Sequence, residues 1–219
     1  MSPRARQWRE RTQERRWTEC DVPSCDKFVH ALSRFCNRHH HHATRYGSPT
    51  APIVRRSDVK PYERIARRLL TINRNHRAIK LTCNQLDEML ATAARTDHGR
   101  PSPKRTDVEG KLRRELARLH ADGITGGRVL SLCAALHFYA RINPGVVGLD
   151  WLGTRRHRFA IARHVLHHTQ RKPHGASKRL PALSARVLDR CGERLINATE
   201  ALLTAMESAY ARQSSTSQL

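Results

Sequence analysis

Carboxylates are scarce in this chain. Its 219 residues hold 19 Asp and Glu against 41 Lys and Arg, a formal net charge of +22, and no acidic residue occurs between 151 and 188. Such an excess goes beyond what solubility requires and points to a polyanionic partner, nucleic acid first. Aromatic residues are also few, at 5%, which argues against an all-β core and for a helical one built from Leu and Ala. A run of about 18 apolar residues is missing, so a membrane-spanning helix is not expected. Nor does an apolar segment follow the basic N-terminus, as a signal peptide would require. The expectation is a cytoplasmic, nucleoid-associated protein of a prokaryotic or phage-infected cell, without a membrane partner. In that reducing setting cysteines are available to metal.

The positive charge is patterned. Residues 1–18 carry six cations and two carboxylates, 51–80 nine and two, and 154–180 eight and none, so three segments hold 19 of the 22 excess charges. Residues 1–18 read as an exposed basic arm, with Trp8 and Trp17 placed either to stack on bases or to dock on the next module. A cysteine module follows at 19–49 and a proline-flanked linker at 50–58. From 59 to 211 the periodicity is helical. Over 60–80, Ile65, Leu69, Ile72, His76 and Ile79 fall on one side of a helical wheel, and Lys60, Arg64, Arg67, Arg68 and Arg74 on the other. Thr82 and Gln85 resemble a capping box opening a second helix at 84–95. Gly and two prolines in 97–103 make a loop. Further helices are expected at 106–121 and 127–142, and 146–153 reads as an apolar lid on the core. A helix at 154–170 turns Phe159, Ala162, Val165 and Leu166 one way and Arg156, Arg163, His157, His164, His167 and His168 the other. A basic linker covers 171–181. The last helix starts near Ser184 and spaces Leu188, Cys191, Leu195, Ala198, Leu202, Ala205 and Ala209 by threes and fours. That seam suits intramolecular packing or a homodimer through 184–211. The tail, 212–219, is expected to be disordered.

Cys20-x4-Cys25-x10-Cys36-x2-His39 supplies three thiolates and one imidazole, the ligand set of a closed, tetrahedral structural Zn²⁺ site. Pro23 and Ser24 fold the first pair into a knuckle, and a helix starting near Cys36 projects Cys36 and His39 from one face. Phe28, Val29, Leu32 and Phe35 are the apolar material such a module could bury. It is too small to fold on that alone, so the metal is expected to stabilise it, by about 10 to 16 kcal/mol of apparent binding free energy. Four histidines, His39 to His42, are consecutive; His39 points to the metal, His40 and His41 to solvent, and His42, one turn on, is the substitute ligand to consider. With Arg45-Tyr46-Gly47-Ser48-Pro49 closing the helix, the stretch resembles the treble-clef-like zinc module at the front of phage and mobile-element proteins, some HNH-type endonucleases among them. The family often has a glycine where this chain has Arg34. The resemblance covers about 30 residues and implies a short β-hairpin, a helix and a mobile-element setting with double-stranded DNA as partner.

The remaining sequence offers no complete catalytic constellation. His164 and His168 have chelating spacing, but no acid lies nearby to act as general base, so a phosphate-facing surface is the preferred reading. Asp97-His98 lacks the Asn and second His of an HNH core. GITGG at 123–127 lacks the Lys-Ser/Thr of a phosphate-binding loop and reads as a helix N-cap turn. The helix at 127–142 is apolar nearly all round, as a buried central helix is and a recognition helix is not. Cys83, Cys133 and Cys191 read as packing residues.

The sequence thus predicts a mainly α protein: a zinc-stabilised hairpin-plus-helix module followed by a helical bundle. It reads as a non-enzymatic nucleic-acid-binding protein, DNA favoured over RNA, with a nuclease or recombinase accessory enzyme or a structural, oligomerising nucleic-acid-associated protein as alternatives. Phosphate contacts are assigned to Arg38, Arg45, Lys60, Arg64, Arg67, Arg68, Arg74, Arg155, Arg156, Arg163, Arg171 and Lys172.

Overall fold

The computed structural model describes residues 18–29, 33–97, 107–168 and 183–216. The chain forms two compact units, 1–51 and 52–219. The arm, the loop after Asp97 and the linker with Arg171 and Lys172 lie outside the described residues.

In the first unit, β1 (Thr18–Glu19) pairs antiparallel with β2 (Phe28–Val29), Thr18 opposite Val29 and Glu19 opposite Phe28, and α1 spans Asn37–Tyr46. The mini-core is Cys20, Val22, Val29 and Cys36, with Cys25 and Phe35 packed against it. Phe28, expected inside, is 63% exposed; in a two-residue strand its neighbour Val29 takes the inward face, and Val22 from the knuckle fills the remaining space. Leu32 is outside the described residues. Arg34 ties its guanidinium to Asp21 at 2.8 Å while its carbonyl accepts the Asp21 N–H at 2.9 Å.

The regular elements among the described residues of the second unit are all helices: α2 Arg56–Ile72, α3 Arg77–Thr96, α4 Val108–Ala121, α5 Gly126–Ile142, a short α6 Pro144–Val147, α7 Arg155–His168 and α8 Ala185–Thr216. Twelve of the seventeen residues of α5 are buried, and α2, α3, α7 and α8 pack around it. Thr125 caps it, its hydroxyl oxygen accepting the Arg128 N–H at 3.3 Å. Of the expected lid, Val147 and Trp151 are buried, whereas Val146 and Leu149 are 57% and 88% exposed. At Gly192 an added Cβ would stand 2.1 Å from the Arg158 carbonyl oxygen, so α7 and α8 touch backbone to backbone there.

Four expectations change. The helix over 60–80 is two: α2 begins at Arg56, inside the expected linker, where the Asp58 carboxylate accepts the Arg55 N–H at 3.0 Å. It ends at Asn73, whose side-chain amide donates to the Leu69 carbonyl at 2.9 Å, a local bond that competes with helix continuation. Thr82 therefore lies inside α3 and opens nothing. The buried face of α2 is Val59, Glu63 and Ala66, with Tyr62 and Leu70 half-buried, while Ile65 and Ile72 are 48% and 67% exposed. Finally, α8 continues to Thr216 through most of the tail expected to be disordered. Much of the C-terminal seam packs within the chain: Leu188, Cys191, Leu195 and Leu202 are buried, together with Val187, Thr199 and Leu203, while Ala198 is half-buried and Ala205 exposed, and α8 packs on α7, α4, α3 and α5.

Candidate metal centre and basic surface

The knuckle is closed by the Cys25 N–H donating to the Val22 carbonyl at 3.1 Å and the Cys20 N–H to the Lys27 carbonyl at 3.0 Å. Ser24, between them, takes a positive φ of 64°. The Cys36 backbone, extended at φ −62° and ψ 161°, precedes the first turn of α1 and sets His39 one turn on. The four side chains converge: Cys20 Sγ lies 3.3 Å and Cys36 Sγ 3.4 Å from His39 Nδ1, and Cys25 Sγ lies 4.0 Å from Cys36 Sγ. All four ligand atoms lie within 4.8 Å of one another.

These distances discriminate. A tetrahedral centre with metal–sulfur bonds of about 2.3 Å and metal–nitrogen bonds of about 2.0 Å has edges of about 3.8 Å between sulfurs and about 3.5 Å between sulfur and nitrogen. A disulfide would need sulfurs about 2 Å apart. The cluster therefore has the donor set and spacing to hold a metal ion. Its electrostatics agree. Burial pushes the Cys20 thiol up, but N–H groups of Cys36 and Val22, then His39 and Cys25, outweigh it and bring Cys20 down to about 6. The Lys27 N–H favours the Cys25 thiolate, yet burial and the neighbouring Cys20 and Cys36 push it up on balance. Three sulfurs this close repel as thiolates, and a central dication relieves that repulsion.

His42 is not a fourth ligand. Its Nδ1–H donates to the Ser48 carbonyl at 3.0 Å and its ring lies 4.6 Å from that of Tyr46. His40 and His41 are exposed. Gly47 ends α1 at φ 82°, its N–H donating to Ala43, so His42 fastens the returning chain to the helix it has just left.

The cations assigned to phosphate divide by surroundings. On α2, Lys60, Arg64, Arg67 and Arg68 form an exposed stripe, prolonged by exposed Arg74 beyond the helix end. Among the described residues Lys60, Arg64, Arg68 and Arg74 form no ion pair, whereas Arg67 shares the buried Glu63 carboxylate with Arg128. Arg38 and Arg45 are exposed on α1. On α7 much of the charge is used internally: Arg158 and Arg155 meet Asp189 at 2.6 and 3.5 Å, Arg155 also covers the Phe159 ring, and Arg156 meets Asp150 at 3.5 Å. Arg163 is half-buried.

The histidine face of α7 is corrected in part. His157 is 4% exposed, packed on Trp151 with ring centroids 4.7 Å apart, and its Nδ1 accepts the Gly153 N–H at 3.0 Å. Burial, with His137 and Arg158 adding repulsion, holds its pKa down to about 3. It is a neutral core residue that holds the sharp turn at Gly153, φ 77°, just before the helix. His164 is half-buried, donating through Nδ1–H to the Ala160 carbonyl; the side chains of His167 and His168 lie outside the described residues. Cys133 and Cys191 are buried, and burial pushes both thiols up to about 12. Cys83 differs: it is half-buried on the wall of a cleft. No sequence signal marked that cleft, because its walls come from three separate helices.

No helix among the described residues is long and apolar enough to cross a membrane. No family model matches this chain, and no curated protein or solved structure is detectably similar to it.

Proposed function

We propose that this is a zinc-containing, non-enzymatic nucleic-acid-binding protein of phage or mobile-element type, with DNA as the favoured partner, that binds mainly through phosphate contacts. The observation that carries the reading is the α2 stripe, where Lys60, Arg64, Arg68 and Arg74 are exposed and form no ion pair among the described residues. Cations that the fold leaves uncompensated repel one another, and a polyanion relieves that repulsion while releasing its own counterions. Four soft, closed-set donors favour Zn²⁺ over oxygen-seeking cations and leave no open position for catalysis, so the metal's role is structural. The mobile-element setting rests on the resemblance of the module at 19–49.

Native purification with elemental and nucleic-acid analysis tests this. One zinc per chain is expected, with co-purifying nucleic acid that deoxyribonuclease removes. A metal-free preparation that binds no DNA even at low salt contradicts the reading.

A further inference from the structure

The second unit contains a cleft of about 890 Å³ between the C-terminal half of α2, the N-terminal half of α3 and the first turn of α5. Its size falls within the usual range of small-molecule sites. Arg67, Arg74, Lys80 and Arg128 stand around it, and Leu70, Ile79 and Cys83 form apolar wall. The buried Glu63 carboxylate is shared by two of these cations, Arg67 and Arg128. Burial, with Asp87 nearby adding to it, pushes the Cys83 thiol up. The cleft therefore combines a net positive rim with an apolar interior. A convex duplex presents phosphates and not base faces, so its backbone fits the exposed α2 stripe better than this concavity. An unpaired nucleotide offers both chemistries at once: a phosphate for the rim and a flat, weakly polar base for the wall.

We infer that the α2–α3–α5 cleft receives a nucleotide of an unpaired nucleic-acid strand, its phosphate held by Arg74 and Lys80 together with Arg67 and Arg128, and its base against Leu70, Ile79 and Cys83. This rests on the reading of the chain as a nucleic-acid-binding protein and adds a preference for single-stranded or locally opened substrate.

Two measurements on the full, metal-loaded chain test it. In the first, anisotropy titrations compare a labelled strand of about a dozen nucleotides with the same sequence as duplex. Lys80 is exposed, forms no ion pair among the described residues and lies on α3, off the α2 stripe, so the Lys80→Ala variant keeps both the fold and the duplex surface. It is expected to weaken single-strand binding about threefold more than duplex binding, the equivalent of about 0.7 kcal/mol. Equal loss on both substrates, or no loss on either, overturns the inference. In the second, maleimide alkylation of Cys83 is followed by peptide mass mapping. Saturating single strand is expected to slow it at least about fivefold, as burial under one stacked base requires, and duplex is not. An unchanged rate overturns the inference, as does equal protection by thymidine monophosphate, which would make the occupant a free nucleotide. A chain that binds duplex in a salt-dependent way while both cleft readouts stay flat loses the cleft but keeps the general reading. A chain that binds neither loses both.

Discussion

His39 and His42 sit in the same run of four histidines and do different work. His39 faces three sulfurs, and His42 fastens the end of α1 to Ser48. His39→Ala is therefore expected to abolish metal binding and with it the order of the first unit, read as loss of zinc per chain and rapid alkylation of Cys20, Cys25 and Cys36. His40→Ala and His41→Ala should retain full metal. The grouping of the four donors was legible in the sequence because the knuckle joins Cys20 to Cys25 and Cys36 and His39 stand one helical turn apart. The role of His42 was not, since its acceptor is a carbonyl whose position depends on the turn at Gly47. His157 was misread for a related reason: helical spacing put it with the charged side chains of α7, but the lid residue Trp151 covers it. Its pKa is lowered from 6.5 to about 3 in the fold, so the unfolded chain takes up a proton that the folded chain refuses. The stabilisation from a neutral His157 is complete above pH 6.5 and is lost as pH falls from 6.5 toward about 3, by roughly 5 kcal/mol in all. Denaturant unfolding at several pH values checks this, and His157→Gln should flatten the acid limb relative to the parent chain.

At the scale of elements, helix existence was readable from periodicity, while facing and ends were not. Both Ile65–Leu69–Ile72 and Val59–Tyr62–Ala66–Leu70 are helical stripes on α2, and large side chains mark the first. The second is buried because small Ala66 allows α2 close to α5 and because Glu63 finds Arg128 across that contact. A buried carboxylate between two guanidiniums is a partner-dependent feature that periodicity does not register. Glu63→Ala should leave Arg128 facing the cleft without that acceptor and destabilise the bundle by about 3 kcal/mol, seen as a lowered denaturation midpoint. The α7–α8 contact is equally demanding, since no side chain fits between Gly192 and the Arg158 carbonyl. Gly192→Ala is expected to cost about 1 to 3 kcal/mol through overpacking, against the small gain alanine ordinarily brings to a helix interior. A rise in melting temperature would contradict the close approach.

Across the whole molecule, charge separates into cations that hold the bundle together and cations that face outward. The sequence located the excess in three segments but treated the segments at 51–80 and 154–180 alike. In the fold, α7 binds Asp189 and Asp150 with Arg155, Arg156 and Arg158, whereas α2 keeps most of its cations exposed and uncompensated. Carboxylates supplied from distant positions, Asp189 above all, were invisible to a count by segment. The phosphate-binding surface we propose is accordingly centred on α2, with α7 contributing less than its composition suggests. The measurement that tests this most directly is the salt dependence of duplex DNA binding by the parent chain and by Arg64→Ala/Arg68→Ala. Each phosphate contact contributes about −0.9 to the slope of log K against log salt. The α2 stripe predicts a parent slope of about −4 or steeper, made shallower by about 2 in the variant. A parent slope near zero, or a variant slope equal to the parent's, contradicts the account.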